Sequence, residues 1–351
     1  MSATPANALH GAIQKLAFRE PLTSRDAEAA FDVVMQGQAS AVQIAALLSA
    51  LRATGESPEI VAGVVRALRS AMVALDSDNP EELVDTCGTG GGAVSTFNIS
   101  TAAAIVAAGA GVRIAKHGNR SFTSRCGSAD VLEALGIPIE VGVPVMERAL
   151  KEAGIVFMFA PLMHPAMRHV GPVRRELAIP TVMNIVGPLA NPARAGRQVV
   201  GVADLERAPV LAAALKALGS VHTLVVHGEP GLDEVSPLGP THVIEIIGGQ
   251  TNRWTIHPEE HGFKKIRRED LAGSEPAENA QIINEVLGGG GPKGARAAVV
   301  LNAGAAVYVS GRVESYADGV AAAHQAIDSG AAKSVLEKLR SAYSNPTRAK
   351  S

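Results

Sequence analysis

The stretch that decides the fold is DTCGTGGGAVSTFNIST, residues 85–101. A strand is expected to end at about Thr86 and a helix to begin near Ser100. The turn between them holds the glycines Gly88, Gly90, Gly91 and Gly92. Glycine permits positive φ, so successive N–H groups can point at one anion, and the helix start adds unpaired N–H groups and a positive dipole end. The stretch favours a phosphate site, although an isolated glycine-rich segment is more often a plain capped turn.

Two common nucleotide-binding patterns are absent from this stretch. It contains neither G-x-G-x-x-G nor a Walker sequence ending in Gly-Lys-Ser/Thr. A Rossmann or P-loop nucleotide site is therefore not expected. Side-chain donors for an anion are available instead, at Thr96, Asn98, Ser100 and Thr101.

A second polar loop, KHGNRSFTSRCGSAD, occupies residues 116–130 directly after another predicted strand. Its cations are Lys116, Arg120 and Arg125. A cationic, serine-rich loop is usually just solvated, and a lone histidine such as His117 is more often structural than catalytic. Two such loops after two parallel strands would meet at the carboxyl edge of the sheet, where open α/β folds bind ligands. Together the two loops predict a polyphosphate site.

Two adjacent carboxylates, Asp233 and Glu234, follow the predicted strand His222–His227. Magnesium prefers hard oxygen ligands, and it commonly bridges a carboxylate to substrate phosphates. An exposed turn is the alternative for this pair. Elsewhere, Arg168, Arg174 and Arg175 follow a predicted strand, and an arginine there could hold a carboxylate through paired hydrogen bonds or could be a surface charge.

The pattern around these loops predicts a helical N-terminal block and then an α/β domain. Residues 8–75 carry helix caps and apolar residues at helical spacing, with no strand signal. Strands are predicted at Leu83–Thr86, Val112–Lys116, Ile155–Phe159, Gln198–Val202 and His222–His227, with a hairpin over Thr241–Ile247 and Gln250–Ile256. Helices are predicted at Ser100–Ala110, Ser128–Leu135, Pro144–Ala153, Glu206–Leu218, Ala277–Leu287, Lys293–Val309 and Ser315–Ser329. This alternation indicates a mostly parallel sheet covered on both faces.

Composition bounds the class of protein. The 351 residues are 47% hydrophobic and 19% charged, with a formal net charge of −2, so no overall field favours nucleic acid or an anionic membrane. Two cysteines, Cys87 and Cys126, form neither a disulfide framework nor a zinc motif. The N-terminus has no leader pattern, and no run of about 18 apolar residues occurs. A cytoplasmic protein without membrane or nucleic-acid partners is expected.

In its order of motifs, the chain resembles the anthranilate phosphoribosyltransferases over nearly its whole length. The matching segments include DTCGTGG, STFNIST, AKHGNRS, GSADVLEALG, FMFAPLMHPAMRHVGPVRREL, NIVGPLANPA and HGEPGLDEVSPLGPTHV. The resemblance implies a small helical domain at residues 1–76, joined by about 164–189, and a larger α/β domain of the nucleoside phosphorylase and phosphoribosyltransferase type at 77–163 and 190–346. It also implies a homodimer formed through the helical part. The implied reaction transfers the phosphoribosyl group of phosphoribosyl pyrophosphate (PRPP) to anthranilate, with Mg²⁺, in tryptophan biosynthesis.

The resemblance also implies site residues. Lys116 and Arg174 are the implied catalytic residues. PRPP contacts are implied for Gly88, Gly91, Gly92, Thr96, Asn98, Ile99, Ser100, Thr101, Lys116, His117, Gly118, Asn119, Arg120, Ser121, Phe122, Thr123, Ser124 and Ser128. Anthranilate contacts are implied for Gly88, His117, Asn119, Arg174 and Pro188, and magnesium ligands for Ser100, Asp233 and Glu234.

Four positions depart from the family pattern. Gly92 stands where the family commonly has Asp, Cys126 where Ser is usual, and Ala178 and Pro180 where Gly and Arg are frequent. The loss of a carboxylate at position 92 bears on metal binding rather than on the type of reaction.

Two alternative functions remain open from sequence. A pyrimidine nucleoside phosphorylase would share the architecture, but its first loop resembles DKHSTGG, whereas DTCGT stands here. A non-catalytic nucleic-acid-binding relative would show a basic groove and lack the KHGNR and GLDE segments, both of which this slightly acidic chain keeps.

Overall fold

A computed structural model describes residues 5–92, 94, 96–121 and 125–344. Its helices are α1 (Pro5–Ala17), α2 (Ser24–Met35), α3 (Ala41–Thr54), α4 (Pro58–Ala71), α5 (Ile99–Gly109), α6 (Ser128–Ala134), α7 (Val143–Ala153), α8 (Ala160–Met163), α9 (Gly171–Leu177), α10 (Met183–Val186), α11 (Ala208–Ala217), α12 (Pro276–Leu287), α13 (Lys293–Val309), α14 (Tyr316–Asp328) and α15 (Ala331–Ser344). Its strands are β1 (Val84–Gly88), β2 (Ile114–Gly118), β3 (Ile155–Phe159), β4 (Arg197–Gly201), β5 (His222–Gly228), β6 (Thr241–Ile247) and β7 (Gln250–Ile256).

The chain divides into two compact units. The first comprises Met1–Ala74, Pro161–Pro192 and Pro209–Gly219, and the second comprises Leu75–Ala160, Ala193–Ala208 and Ser220–Ser351. None of the helices in the described ranges combines the length and apolar character that crossing a membrane requires.

The first unit is helical because its helix starts are capped by local side chains. At the start of α2, the backbone N–H of Asp26 donates to Thr23 Oγ1 at 3.2 Å, and the Asp26 carboxylate accepts from the Thr23 N–H at 3.0 Å. Ser40 and Gln43 make the same reciprocal pair before α3. Such boxes satisfy N–H groups that a helix start leaves unpaired.

The second unit is built on a seven-stranded sheet in the order β3-β2-β1-β4-β5-β6-β7. The first five of these strands are parallel, and β6 and β7 form an antiparallel hairpin at one edge. Residue Gly88 at the end of β1 is in register with Gly201 at the end of β4. The carboxyl ends of β1, β2 and β5 therefore point the same way, and the loops of interest follow them.

Helices α5 and α13 cover the sheet with small apolar side chains. In α5 all residues from Thr101 to Ala108 are buried, and in α13 nearly the whole helix is buried. Their alanine-rich surfaces allow close approach; a Cβ atom on Gly109 would lie only 2.8 Å from backbone atoms of Ala332 in α15. This close packing compensates for the few aromatic residues in the chain.

The predicted fold class is confirmed: a small helical domain precedes a larger α/β domain with a mostly parallel sheet. The bounds of two strands were predicted wrongly, and one helix was missed. Strand β1 continues to Gly88 instead of ending at Thr86, β2 begins at Ile114 and continues to Gly118, and α15 was not predicted. His117 and Gly118 were predicted to be loop residues, but they pair with Met158 and Phe159 of β3, and such pairing overrides local propensity.

Candidate active site

Three segments converge at the carboxyl edge of the parallel sheet in the second unit. The glycine-rich segment follows β1, a second polar loop follows β2, and an acidic loop with Asp233 and Glu234 follows β5. Direct hydrogen bonds join each of them to another, as described below.

The acidic loop lies against the glycine-rich segment through Asp233. The Gly90 N–H donates to Asp233 Oδ2 at 2.8 Å. A Cβ atom on Gly88 would collide with that same oxygen, and one on Gly201 would collide with the Asp233 backbone. Glycine at both strand ends therefore leaves the space that the aspartate occupies. Burial raises the pKa of Asp233, although the Gly90 N–H opposes this.

Glu234 points toward the start of α5, where the Ser100 backbone N–H donates to its carboxylate. Burial raises the pKa of Glu234 to about 8, with the charge of Asp233 acting in the same direction and Lys116 opposing both. Two adjacent buried carboxylates repel each other when both are ionised. A cation beside them would relieve this repulsion.

Lys116 is such a cation within the protein, and its side chain is only 3% exposed. Its ammonium group donates to the backbone oxygen of Thr86 and, at 3.2 Å, to Ser100 Oγ. Thr86 Oγ1 in turn donates to the Ser100 carbonyl at 3.2 Å. Burial lowers the pKa of Lys116, while the charge of Asp85 raises it. The lysine thus ties β1, β2 and the start of α5 together.

Side chains at the start of α6 hold the second loop through hydrogen bonds. Ser128 Oγ donates to the Asn119 carbonyl at 3.2 Å, and the Asp130 carboxylate accepts from the Gly127 N–H at 2.8 Å and the Ser121 N–H at 3.3 Å. The exposed guanidinium of Arg120 pairs with Asp130 at 2.8 Å and Glu133 at 2.6 Å. Arg120 is therefore already engaged by carboxylates. Phe122, Thr123 and Ser124 lie outside the described residues.

Further residues predicted for the site lie around these segments. Thr96 forms an isolated bridge with Ala272. Ile99 and Thr101 are buried in the first turn of α5. His117 and Gly118 are the last residues of β2, and the His117 N–H donates to Asp85 at 3.2 Å. Gly91 has positive φ, at 79°.

Gly92, the position where the family commonly has Asp, lies next to the acidic loop. A Cβ atom there would be 3.0 Å from the Gly231 carbonyl and 3.3 Å from Asp233 Oδ1. A side chain at position 92 would therefore press on the predicted metal ligand.

Two predicted residues belong to the first unit. Arg174 lies in the last turn of α9, and burial lowers its pKa. Pro188 is buried in the short 3₁₀ turn Gly187–Leu189. Ala178 ends α9 with positive φ, at 50°, a conformation that glycine adopts more easily.

Sequence reasoning missed two buried asparagines, Asn279 of α12 and Asn302 of α13. Asn302 Oδ1 accepts from the Val235 N–H, and its Nδ2 donates to the Val235 carbonyl, both at 2.8 Å. These two hydrogen bonds hold the backbone of Val235, the residue after Glu234. The signal was present, since an asparagine inside the apolar run AAVVLNAGAAV needs a buried partner.

The donor set fits magnesium. Among the described residues no cluster of three or more His, Cys, Asp or Glu side chains could hold an ion alone. Ser100 and Glu234 line one small cavity with Thr86 and Asn302, and Asp233 is adjacent in sequence. Two carboxylates and a hydroxyl are hard oxygen donors, too few for a complete cage, and magnesium commonly completes its shell with water and substrate phosphate.

Comparison with known proteins gives a consistent result. The chain matches the model of the glycosyl transferase family a/b domain over residues 80–333 and that of the helical bundle domain over residues 10–72. An anthranilate phosphoribosyltransferase of Rubrobacter xylanophilus is 49% identical over 331 residues, which cover 94% of this chain and 96% of the relative. One of Geobacillus kaustophilus is 46% identical over 93% of this chain and 96% of the relative.

Solved structures agree with these relatives. The crystal structure of anthranilate phosphoribosyltransferase from Thermus thermophilus matches with a TM-score of 0.90 and 42% identity, covering 95% of this chain and 99% of that one. The enzyme from Saccharomyces cerevisiae in complex with PRPP and Mg matches with a TM-score of 0.86 and 31% identity, covering 96% and 98%.

Proposed function

The chain belongs to the anthranilate phosphoribosyltransferase family, and we propose from this how its own residues carry the reaction. It is an enzyme that transfers the phosphoribosyl group of PRPP to the amine of anthranilate in tryptophan biosynthesis. The products are N-(5-phosphoribosyl)anthranilate and pyrophosphate. The relatives compared above are all transferases of this kind, which favours this function over a nucleoside phosphorylase or a nucleic-acid-binding protein.

The convergence of three loops carries the proposal for PRPP. Gly90 bonds to Asp233, Ser100 bonds to Lys116, and the Ser100 N–H bonds to Glu234. Backbone amides of the glycine-rich segment and of the start of α5 bind the phosphates. The loop of residues 116–124, with Ser128, supplies further contacts to PRPP.

Ser100, Asp233 and Glu234 would hold Mg²⁺ through their oxygen donors. The Saccharomyces cerevisiae relative was solved with PRPP and Mg, which supports the proposal. A bound magnesium ion would supply positive charge beside the pyrophosphate. Burial raises the pKa of both carboxyl groups, and the positive charge of a bound cation would favour their ionised forms.

Anthranilate is bound by Arg174 through its carboxylate, with Gly88, His117, Asn119 and Pro188 along the path of the ring. A guanidinium group can form two parallel hydrogen bonds to a carboxylate, which fixes the orientation of the ring. A Saccharomyces cerevisiae relative was solved in complex with 4-fluoroanthranilate, which supports an aromatic carboxylate as the ligand.

The reaction is a displacement at the anomeric carbon of the ribose. The bond from this carbon to the pyrophosphate oxygen breaks, the bond to the anthranilate nitrogen forms, and the amine loses one proton to solvent. Lys116 and the loop amides stabilise the negative charge that develops on pyrophosphate. An aromatic amine is neutral at pH 7, so positioning and electrostatics contribute most of the rate.

We also propose a cytoplasmic homodimer, with a helical domain at 1–76 and about 164–189, and a PRPP-binding domain at 77–163 and 190–346. Phe18 and Val42 of the first unit are exposed apolar side chains, at 75% and 78%, which a contact through that unit would cover. Neither Cys87 nor Cys126 forms a disulfide, which is typical of a reducing compartment.

The test follows the loss of anthranilate fluorescence on adding PRPP and magnesium, repeated with EDTA. Glu234→Gln and Asp233→Asn are expected to need more Mg²⁺ for half-maximal rate and to bind Mg²⁺ more weakly in calorimetry with PRPP present. The matched control is Glu206→Gln, at an exposed position of the second unit. Magnesium binding as tight as in the wild type would refute the ligand assignment.

A further inference from the structure

We infer that Asn279 is a positioning residue that sets the first PRPP segment against the second by holding the side chain of Asn98. The inference rests on the proposed PRPP site. Asn279 lies in α12, 181 positions along the chain from Asn98, and is only 1% exposed. It belongs to none of the three loops of the site.

Asn98 is the N-cap residue before α5, but its side chain makes no capping hydrogen bond to the helix. Its Nδ2 donates to the Cys126 carbonyl, and its Oδ1 accepts from the Cys126 thiol, both at 3.1 Å. Asn98 therefore bridges the glycine-rich segment to the second loop. Burial raises the pKa of Cys126 to about 11, so the thiol keeps the proton that it donates.

Asn279 completes this polar cluster. Its Nδ2 donates to Asn98 Oδ1 at 3.1 Å, and its own Oδ1 accepts from the Ser274 N–H at 2.8 Å. Both ends of the amide are thus engaged: one holds Asn98, and the other holds the turn before α12. A buried amide with both ends engaged tolerates little displacement of its partners.

The segment held by Asn279 also supports the backbone before Asn98. The Phe97 N–H donates to the Leu271 carbonyl at 3.0 Å, and a Cβ atom on Gly273 would collide with the Thr96 carbonyl. Residues 271–274 therefore pack against the backbone of residues 96–98. Ser100 follows Asn98 by two residues. The packed segment and the pair of asparagines therefore set where the predicted phosphate and metal contacts lie.

The test compares Asn279→Ala with Asn284→Ala, an exposed position in the same helix. Asn279→Ala is expected to raise the KM for PRPP about tenfold, because a buried acceptor loses its donor. The KM for anthranilate is expected to change less than about twofold, and Asn284→Ala to leave both constants unchanged. Asn279→Leu, which fills a similar volume without either hydrogen bond, provides a second variant in case the cavity in the alanine variant prevents folding.

A double-mutant cycle separates positioning from general stability. In an Asn98→Ala background, Asn279→Ala should raise the PRPP KM by a smaller factor than in the wild-type background, because the Asn98 partner is gone and only the contact of Asn279 with the Cys126 thiol remains. Additive effects, or a lower melting temperature with an unchanged PRPP KM, would overturn the inference. If Asn98→Ala alone leaves the PRPP KM unchanged, the proposed role of Asn98 in the site fails instead.

Discussion

The ammonium group of Lys116 donates a hydrogen bond to the hydroxyl oxygen of Ser100 over 3.2 Å. This bond joins the end of β2 to the first turn of α5, and it lies within reach of the charge of Glu234. One buried cation therefore touches a predicted magnesium ligand and compensates another. The PRPP and metal sites are expected to respond together when it is changed.

Replacing Lys116 with alanine should weaken PRPP binding. A lost charged hydrogen bond costs about 1.5–3 kcal/mol, which corresponds to roughly a ten- to hundredfold rise in the KM for PRPP. Steady-state kinetics at saturating anthranilate measure the KM for PRPP. The control is Lys151→Ala, at an exposed position of α7. An unchanged PRPP KM in Lys116→Ala would remove this lysine from the proposed mechanism.

Replacing Arg174 with alanine should mainly raise the KM for anthranilate, by about tenfold, because the carboxylate loses its paired donors. The KM for PRPP should stay within about twofold of the wild type. Arg175→Ala is the matched control, since Arg175 is the exposed neighbour in the same turn. The assignment of Arg174 is wrong if its variant keeps the wild-type KM for anthranilate.

Replacing Gly88 with alanine should lower kcat/KM by about a hundredfold, since the new Cβ atom collides with Asp233 Oδ2 and displaces a predicted metal ligand. Gly11→Ala is the control, because a Cβ atom there meets nothing within 4 Å. The kcat/KM and the melting temperature of each variant are compared with those of the wild type. Equal kcat/KM in Gly88→Ala and the wild type would show that Asp233 has room to move without loss of function.

The buried His164 should make stability fall in mild acid. Burial lowers its pKa to about 4, against an ordinary value of 6.5, so its neutral form is favoured in the folded state. This contribution is complete above about pH 6.5 and is lost as the pH falls toward 4, by about 2 kcal/mol between about pH 7.5 and pH 5. Urea unfolding at about pH 7.5 and pH 5 measures this loss of unfolding free energy.

In His164→Gln the free energy of unfolding should depend less on pH over that window. His10→Gln, at an exposed position of α1, should keep the wild-type dependence. The same pH dependence in His164→Gln as in the wild type would mean that another group causes the acid sensitivity.

The sequence alone was enough for the fold class and for placing three polar loops after strands of the sheet, because short patterns encode both. Glycines after a strand and caps before a helix act over a few residues, and parallel strands bring their carboxyl ends to one edge. The wrong predictions were the bounds of strands, because pairing with a neighbouring strand determines where a strand ends. His117 and Gly118 lie beyond the predicted strand Val112–Lys116, and they are strand residues because β3 pairs with them.

By itself, then, the sequence determined the three loops, their chemistry and the family resemblance. Only the tertiary structure decided which groups meet: Lys116 with Ser100, Gly90 with Asp233, and Asn98 with Asn279 across 181 positions. The physical reason is that local patterns express the preferences of neighbouring residues, whereas a contact between distant residues exists only after the whole core has packed and offset the entropy of closing the chain between them.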